Sequence, residues 1–121
     1  MIVYISGPIT GMPENNKKAF SEAYSDIARL KRNPRLRNMK IINPLRVGAG
    51  IRKSFSVKGK NEPDWTDYMR ACIKKLCEAD CVYFLEGWYA SKGVNLERNI
   101  ARRLDIPCAD NMEELWKILG V

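Results

Sequence analysis

Apolar positions along this chain alternate between two spacings. Met1–Ser6, Met39–Asn43, Asp80–Leu85 and Ile106–Ala109 are short apolar runs bounded by turn residues, and each predicts a strand. The third run, Cys81-Val82-Tyr83-Phe84-Leu85, is apolar at every position, as in a strand buried on both faces. Between the runs the spacing becomes helical. Ala19, Phe20, Ala23, Tyr24, Ile27, Ala28 and Leu30 predict a helix from a cap at Asn15 or Asn16 to about Arg32, stopped by Asn33-Pro34. Trp65, Met69, Cys72, Ile73 and Leu76 predict another, capped by Asp64 and ending near Cys77. Two more follow, from about Lys92 to Leu104 and, behind a cap at Asn111, from Met112 to Leu119. Residues 46–63 break the pattern. They carry Gly48, Gly50, Gly59 and Pro63, with Arg46, Arg52, Lys53, Lys58 and Lys60 before the first acid at Glu62, and read as a long, mobile basic loop.

Strands alternating with helices imply a parallel sheet covered on both faces. The expected fold class is α/β: one domain over residues 1–121, a flavodoxin- or Rossmann-like three-layer sandwich with a four- to five-stranded, mainly parallel sheet. Such sheets bind ligands beyond the carboxyl ends of their strands. Here those segments are 7–13, 44–63 and 86–93.

Composition narrows the chemistry. There is no histidine among the 121 residues, which excludes Ser-His-Asp and Cys-His catalysis and histidine-based zinc sites. Acid–base work falls to carboxylates, Tyr, Lys or Cys. Cys72, Cys77, Cys81 and Cys108 form no C-x-x-C pair, so neither a metal nor a cofactor is expected. Charge is uneven: residues 1–60 hold 13 basic and 3 acidic side chains, residues 61–121 hold 8 and 11. A basic first half suits an anionic partner, either nucleic acid or a nucleotide drawn into a cleft. No run of about 18 apolar residues is present and Met1–Ile5 lacks a basic leader, so no membrane association and a cytoplasmic location are expected.

The run Ser91-Lys92-Gly93-Val94-Asn95-Leu96-Glu97 joins the third strand to a helix. Backbone N–H groups at a helix start, with the Ser91 hydroxyl and Gly93, suit a phosphate; Ser91 as a plain cap is the competing reading. Glu97 lies in the early turns, where the helix dipole favours an ionised carboxylate that can act as nucleophile. Otherwise it is a solvated helix-start residue. Asp67 either completes a capping box with Asp64 or is a second active-site carboxylate. Tyr4 is core or reaches the site with its hydroxyl. Trp88 and Trp65 are packing residues or platforms for a base. Ser6-Gly7-Pro8-Ile9-Thr10-Gly11 forms a glycine-bearing turn after the first strand.

Tyr4-Ile5-Ser6-Gly7-Pro8-Ile9-Thr10-Gly11, Asp67 leading a helix into Ala79-Asp80-Cys81-Val82, and Ser91-x-Gly93-x-x-x-Glu97 together resemble the nucleoside 2-deoxyribosyltransferase superfamily. The closer branch is its 2′-deoxynucleoside 5′-monophosphate N-glycosidases, along with small bacterial and phage proteins carrying a domain-of-unknown-function label. The resemblance spans most of the chain, in order. It implies Glu97 as the catalytic nucleophile, with Asp67 and Tyr4 as its catalytic companions. Ser91 would hold the 5′-phosphate, and Ser6, Gly7, Pro8, Ile9, Gly11, Trp88 and Gly93 would complete the substrate site. The first turn lacks the branch's arginine, so charge is expected from Lys92 or the basic loop. The expected activity is N-glycosidic cleavage or deoxyribosyl transfer on a nucleoside 5′-monophosphate by a homo-oligomer. A catalytically silent nucleotide-sensing or nucleic-acid-associated module is the alternative.

Overall fold

The computed structural model describes residues 1–57 and 64–121, of which 52–57 by backbone alone. The strands are β1 (Ile2–Ser6), β2 (Lys40–Ile42), β3 (Cys81–Phe84) and β4 (Cys108–Ala109). The α-helices are α1 (Lys17–Ala28), α2 (Pro44–Val57), α3 (Trp65–Leu76), α4 (Lys92–Arg103) and α5 (Met112–Leu119). The strands form one all-parallel sheet in the order β2-β1-β3-β4. The fold is therefore α/β and flavodoxin- or Rossmann-like, with four strands among the described residues. Strand order reverses between β1 and β3, so the crevice there is where such a sheet receives a ligand.

Alternation along β1 sorts the core into two layers. Val3 and Ile5 face Phe20, Ala23 and Ile27 of α1 and Leu115 and Leu119 of α5. Tyr4 faces the opposite way, toward Cys72 and Leu76 of α3 and Val94 and Ala101 of α4. Ser6, two residues on, shares Tyr4's side of the strand. At the other end of the sheet, Asp80 latches β1 to the start of β3: its Oδ2 accepts from Ile2 N at 2.7 Å, and its own N–H donates to Ile2 O at 2.8 Å. Pro107 is accommodated because β4 is an edge, and its carbonyl still accepts from Val82 N at 2.9 Å.

One expectation needs correction. Residues 44–57 form α2 and not the first part of a loop. The remainder of that expectation, residues 58–63, lies outside the described residues. Asn43 caps α2, accepting from Leu45 N at 3.0 Å, and Pro44 occupies the first helical position, where its missing N–H costs nothing. Pro44, Val47, Gly48 and Ile51 then fall on one helical face. Gly48 serves packing: a Cβ there would lie 2.7 Å from Cε2 of Tyr68. That close approach lets the Tyr68 hydroxyl donate to Pro44 O at 3.0 Å, tying α3 to α2. A smaller correction concerns α1. Asn16 stands at its N-cap in the left-handed conformation, with no side-chain capping bond.

Gly7, just past β1, is equally confined. A Cβ there would meet Cδ1, Cγ and Cβ of Leu85 at 2.5, 2.8 and 3.0 Å, so a rotamer change at Leu85 cannot clear it. Gly7→Ala is expected to cost about 1–3 kcal/mol. Urea unfolding should show a lower midpoint at unchanged slope.

Candidate active site

The crevice at the strand-order reversal holds a cavity of about 410 Å³, within the range of small-molecule sites. Gly7, Ile9 and Thr10 line it from the turn after β1, and Pro44 from the start of α2. Trp65, Tyr68, Met69 and Cys72 line it from α3, and Ala90 to Val94 with Glu97 from the start of α4. The α3 residues are spaced i, i+3, i+4, i+7, one stripe of that helix. Part of what reads in sequence as a packing face is thus the wall of a cavity.

Glu97 is the one carboxylate among the described lining residues. It is 5% exposed and lies in the second turn of α4, where its side chain reaches Tyr4 and Ser6 on the sheet. The Ser6 hydroxyl donates to its Oε1 at 3.3 Å. Its Oε2 has no hydrogen-bond partner among the described residues, and neither has the buried hydroxyl of Tyr4. These two groups lie outside hydrogen-bond geometry, yet each perturbs the other's ionisation. Burial, followed by the nearby Glu97 charge, raises the Tyr4 phenol well above its ordinary range. Burial pushes Glu97 up to about 7, against the Tyr4 and Ser6 hydroxyls, which favour the anion. The expectation of a carboxylate held ionised by the helix dipole is thereby corrected. Glu97 lies beyond the first turn, where that dipole acts, and desolvation wins.

The mouth of the cavity is the N-terminus of α4. Ser91 caps the helix, accepting from Val94 N at 3.3 Å, and Asn95 Nδ2 pins the preceding turn by donating to Tyr89 O at 3.0 Å and Ser91 O at 2.8 Å. A helix start leaves N–H groups without intrahelical acceptors, and Lys92 and Gly93, which carry two of those of α4, line this cavity. Gly93 allows α3 to come close: a Cβ there would lie 3.1 Å from Met69 Sδ and 3.8 Å from Trp65 Nε1.

Seven of the residues singled out in the sequence line the cavity: Glu97, Gly7, Ile9, Trp65, Ser91, Lys92 and Gly93. Tyr4 and Ser6 lie beside Glu97, outside the lining, and bear on its ionisation. The other four lie elsewhere. Pro8 is buried outside the wall, and Gly11 takes a left-handed turn conformation at φ 80°. Asp67 is engaged in a reciprocal capping box: its N–H donates to Asp64 Oδ1 at 2.8 Å, and its Oδ2 accepts from Asp64 N at 3.2 Å. Its position falls off the α3 stripe that faces the cavity. Trp88 is no open platform for a base, because Arg98 occupies its face. The guanidinium carbon lies 4.0 Å from the Trp88 ring centroid and 4.7 Å from that of Phe84. Arg98 is 8% exposed and forms a bidentate pair with Asp110, at 2.6 and 3.1 Å. Tyr68, Met69, Cys72 and Thr10 were not singled out. Only the i, i+3, i+4, i+7 spacing from Trp65 could have signalled the first three.

The sequence profile of a domain of unknown function, DUF4406, matches residues 1–110. The chain belongs to the DUF4406 family. No curated protein and no solved structure matches it. In this DUF4406 domain the match covers every lining residue of the cavity together with Arg98 and Asp110. Among the described residues no helix is long and apolar enough to cross a membrane.

The raised Glu97 pKa fixes the sign of a stability effect. Between the unfolded carboxyl value of 4.5 and the folded value of about 7, the native state binds the extra proton. Stability therefore falls as pH rises across that window and levels off above it. Glu97→Gln is expected to flatten the slope and to stabilise the protein at pH 8 by on the order of 2–3 kcal/mol, read from denaturant melts at pH 5 and 8.

Proposed function

We propose that this protein cleaves the N-glycosidic bond of a 2′-deoxynucleoside 5′-monophosphate through Glu97. The observation that carries the reading is a buried carboxylate, with one oxygen unpartnered among the described residues, in the same cavity as a helix N-terminus. A carboxylate withdrawn from water is a stronger nucleophile than a solvated one once ionised. The α4 N-terminus with the Ser91 hydroxyl offers donors to a phosphate. From Gly93 to Glu97 the helix rises about 6 Å, a span that suits a sugar carrying a phosphate on its 5′ arm. The resemblance to the deoxyribosyltransferase superfamily supports the same assignment.

In this mechanism the phosphate docks at Ser91 and the backbone of Lys92 and Gly93. A Glu97 oxygen attacks the anomeric carbon as the bond to the base breaks. The bonding pair leaves with the base, which takes a proton from water at the cavity mouth. Asp67 enters this step only if substrate binding frees it from its cap. Water then attacks the anomeric carbon of the glycosyl ester, releasing deoxyribose 5-phosphate and restoring the carboxylate. If a second base takes the place of water, the outcome is deoxyribosyl transfer. Ser6 holds one carboxylate oxygen in place, and Tyr4 steadies the other electrostatically.

The test is incubation with each deoxynucleoside monophosphate, following free base. The wild type should release base, and Glu97→Gln should lower the rate by about a hundredfold or more. Activity must also follow Glu97 ionisation, so kcat/KM should climb as pH rises through about 7 and then level off. An unchanged rate in Glu97→Gln would sink the nucleophile role. Nucleotide binding without turnover by the wild type would favour a sensing module.

A further inference from the structure

The cavity mouth carries a pair of side chains that the proposed chemistry does not use. Lys92 is the first residue of α4, and its Nζ lies 4.6 Å from the centroid of the Trp65 ring. Trp65 is the first residue of α3 and remains 39% exposed, with its indole edge beside Gly93. Both line the cavity, and Lys92 is the one cationic side chain among the described lining residues. Against it stands the Glu97 carboxyl, with its unpartnered oxygen. Among the described lining residues, an anion entering at the α4 N-terminus therefore has one positive side chain to draw on. That charge rests on an aromatic face.

Resting on the reading that a phosphate docks at the start of α4, we infer that Lys92 is the charge-selecting residue of the site and that Trp65 sets the threshold for its use. The ammonium lies on the ring until an anion competes for it. A terminal phosphomonoester carries about −1.5 to −2 at neutral pH and draws the ammonium away. A phosphodiester carries a single negative charge and one fewer free oxygen, and competes less well against the ring. The pair thus favours a mononucleotide over the internal phosphates of a nucleic acid chain. It needs neither the first-turn arginine nor the basic residues of 46–60.

Two features make the inference specific. A partly exposed cation–π contact is weak, so it delays the ammonium without trapping it. The contact also opposes anion binding, so its removal should strengthen binding. A stacking or lid role for Trp65 gives the opposite sign.

The experiment measures binding calorimetrically, with inorganic phosphate and dimethyl phosphate as probes. The proteins are the wild type, Lys92→Met, Lys92→Arg and Trp65→Leu, each checked by circular dichroism. The wild type should prefer phosphate over dimethyl phosphate. Lys92→Met should weaken phosphate binding roughly tenfold or more and lose the preference, and Lys92→Arg should keep it. Trp65→Leu should bind phosphate about two- to fivefold more tightly, the worth of the lost ring contact. Phosphate should also change tryptophan emission in the wild type and not in Lys92→Met. Unchanged phosphate affinity in Lys92→Met, equal or weaker affinity in Trp65→Leu, or no phosphate binding by the wild type overturns the inference. Because these readouts need no turnover, base release by the wild type that depends on Glu97 would survive such a failure, and an intact exchange would survive the absence of turnover.

Discussion

A carboxyl group withdrawn from water governs this structure. Glu97 sits on the sheet with one oxygen bonded to Ser6; among the described residues its other oxygen and the neighbouring Tyr4 hydroxyl have no partner. Burying a carboxyl group in this way is costly, and a fold tolerates it only where surrounding packing holds the group in place. The cost appears as a pKa near 7. In return, the cavity acquires a group whose charge changes near neutrality, which is the property a catalytic carboxyl needs.

That placement requires α4 to be fixed at both ends. At its start, Ser91 and Asn95 close the turn, and Gly93 lets Met69 and Trp65 of α3 press against the helix. Farther along, Arg98 follows Glu97 directly and anchors α4 in two ways. Its bidentate pair with Asp110 ties the helix to the segment after β4, and its contacts with the Phe84 and Trp88 rings tie it to β3 and the turn that follows. A buried guanidinium is tolerable because Asp110 neutralises it and two aromatic rings lie against it. Trp88 is therefore a support for the helix that carries Glu97.

The parts of this architecture that depend on local pattern were legible. Strand runs, helix caps at Asp64 and Asn111 and the parallel topology follow from periodicity and capping chemistry, and the structure has them. The switch-point crevice followed from topology, and Ser91, Gly93 and Glu97 are found there. Reading failed where one residue type serves two purposes. Gly48 and Gly50 suggested a loop, although Gly48 is small because Tyr68 lies against it. Trp88 suggested a ligand platform, although the guanidinium of Arg98 lies 4.0 Å from its ring centroid. The α3 stripe suggested packing alone, because spacing cannot distinguish a core from a cavity wall.

By itself, the sequence determined the alternating α/β order, the absence of histidine chemistry and the short segment from Ser91 to Glu97 on one helix. These properties depend on neighbours along the chain. Tertiary structure alone decided that Ser6 and Tyr4 meet Glu97, that Asp67 remains in its cap, and that Lys92 rests on Trp65. Ser6 and Glu97 are 91 positions apart, and burial depends on every element packed around them. A charge state set by desolvation is a property of that packing, which no local pattern encodes.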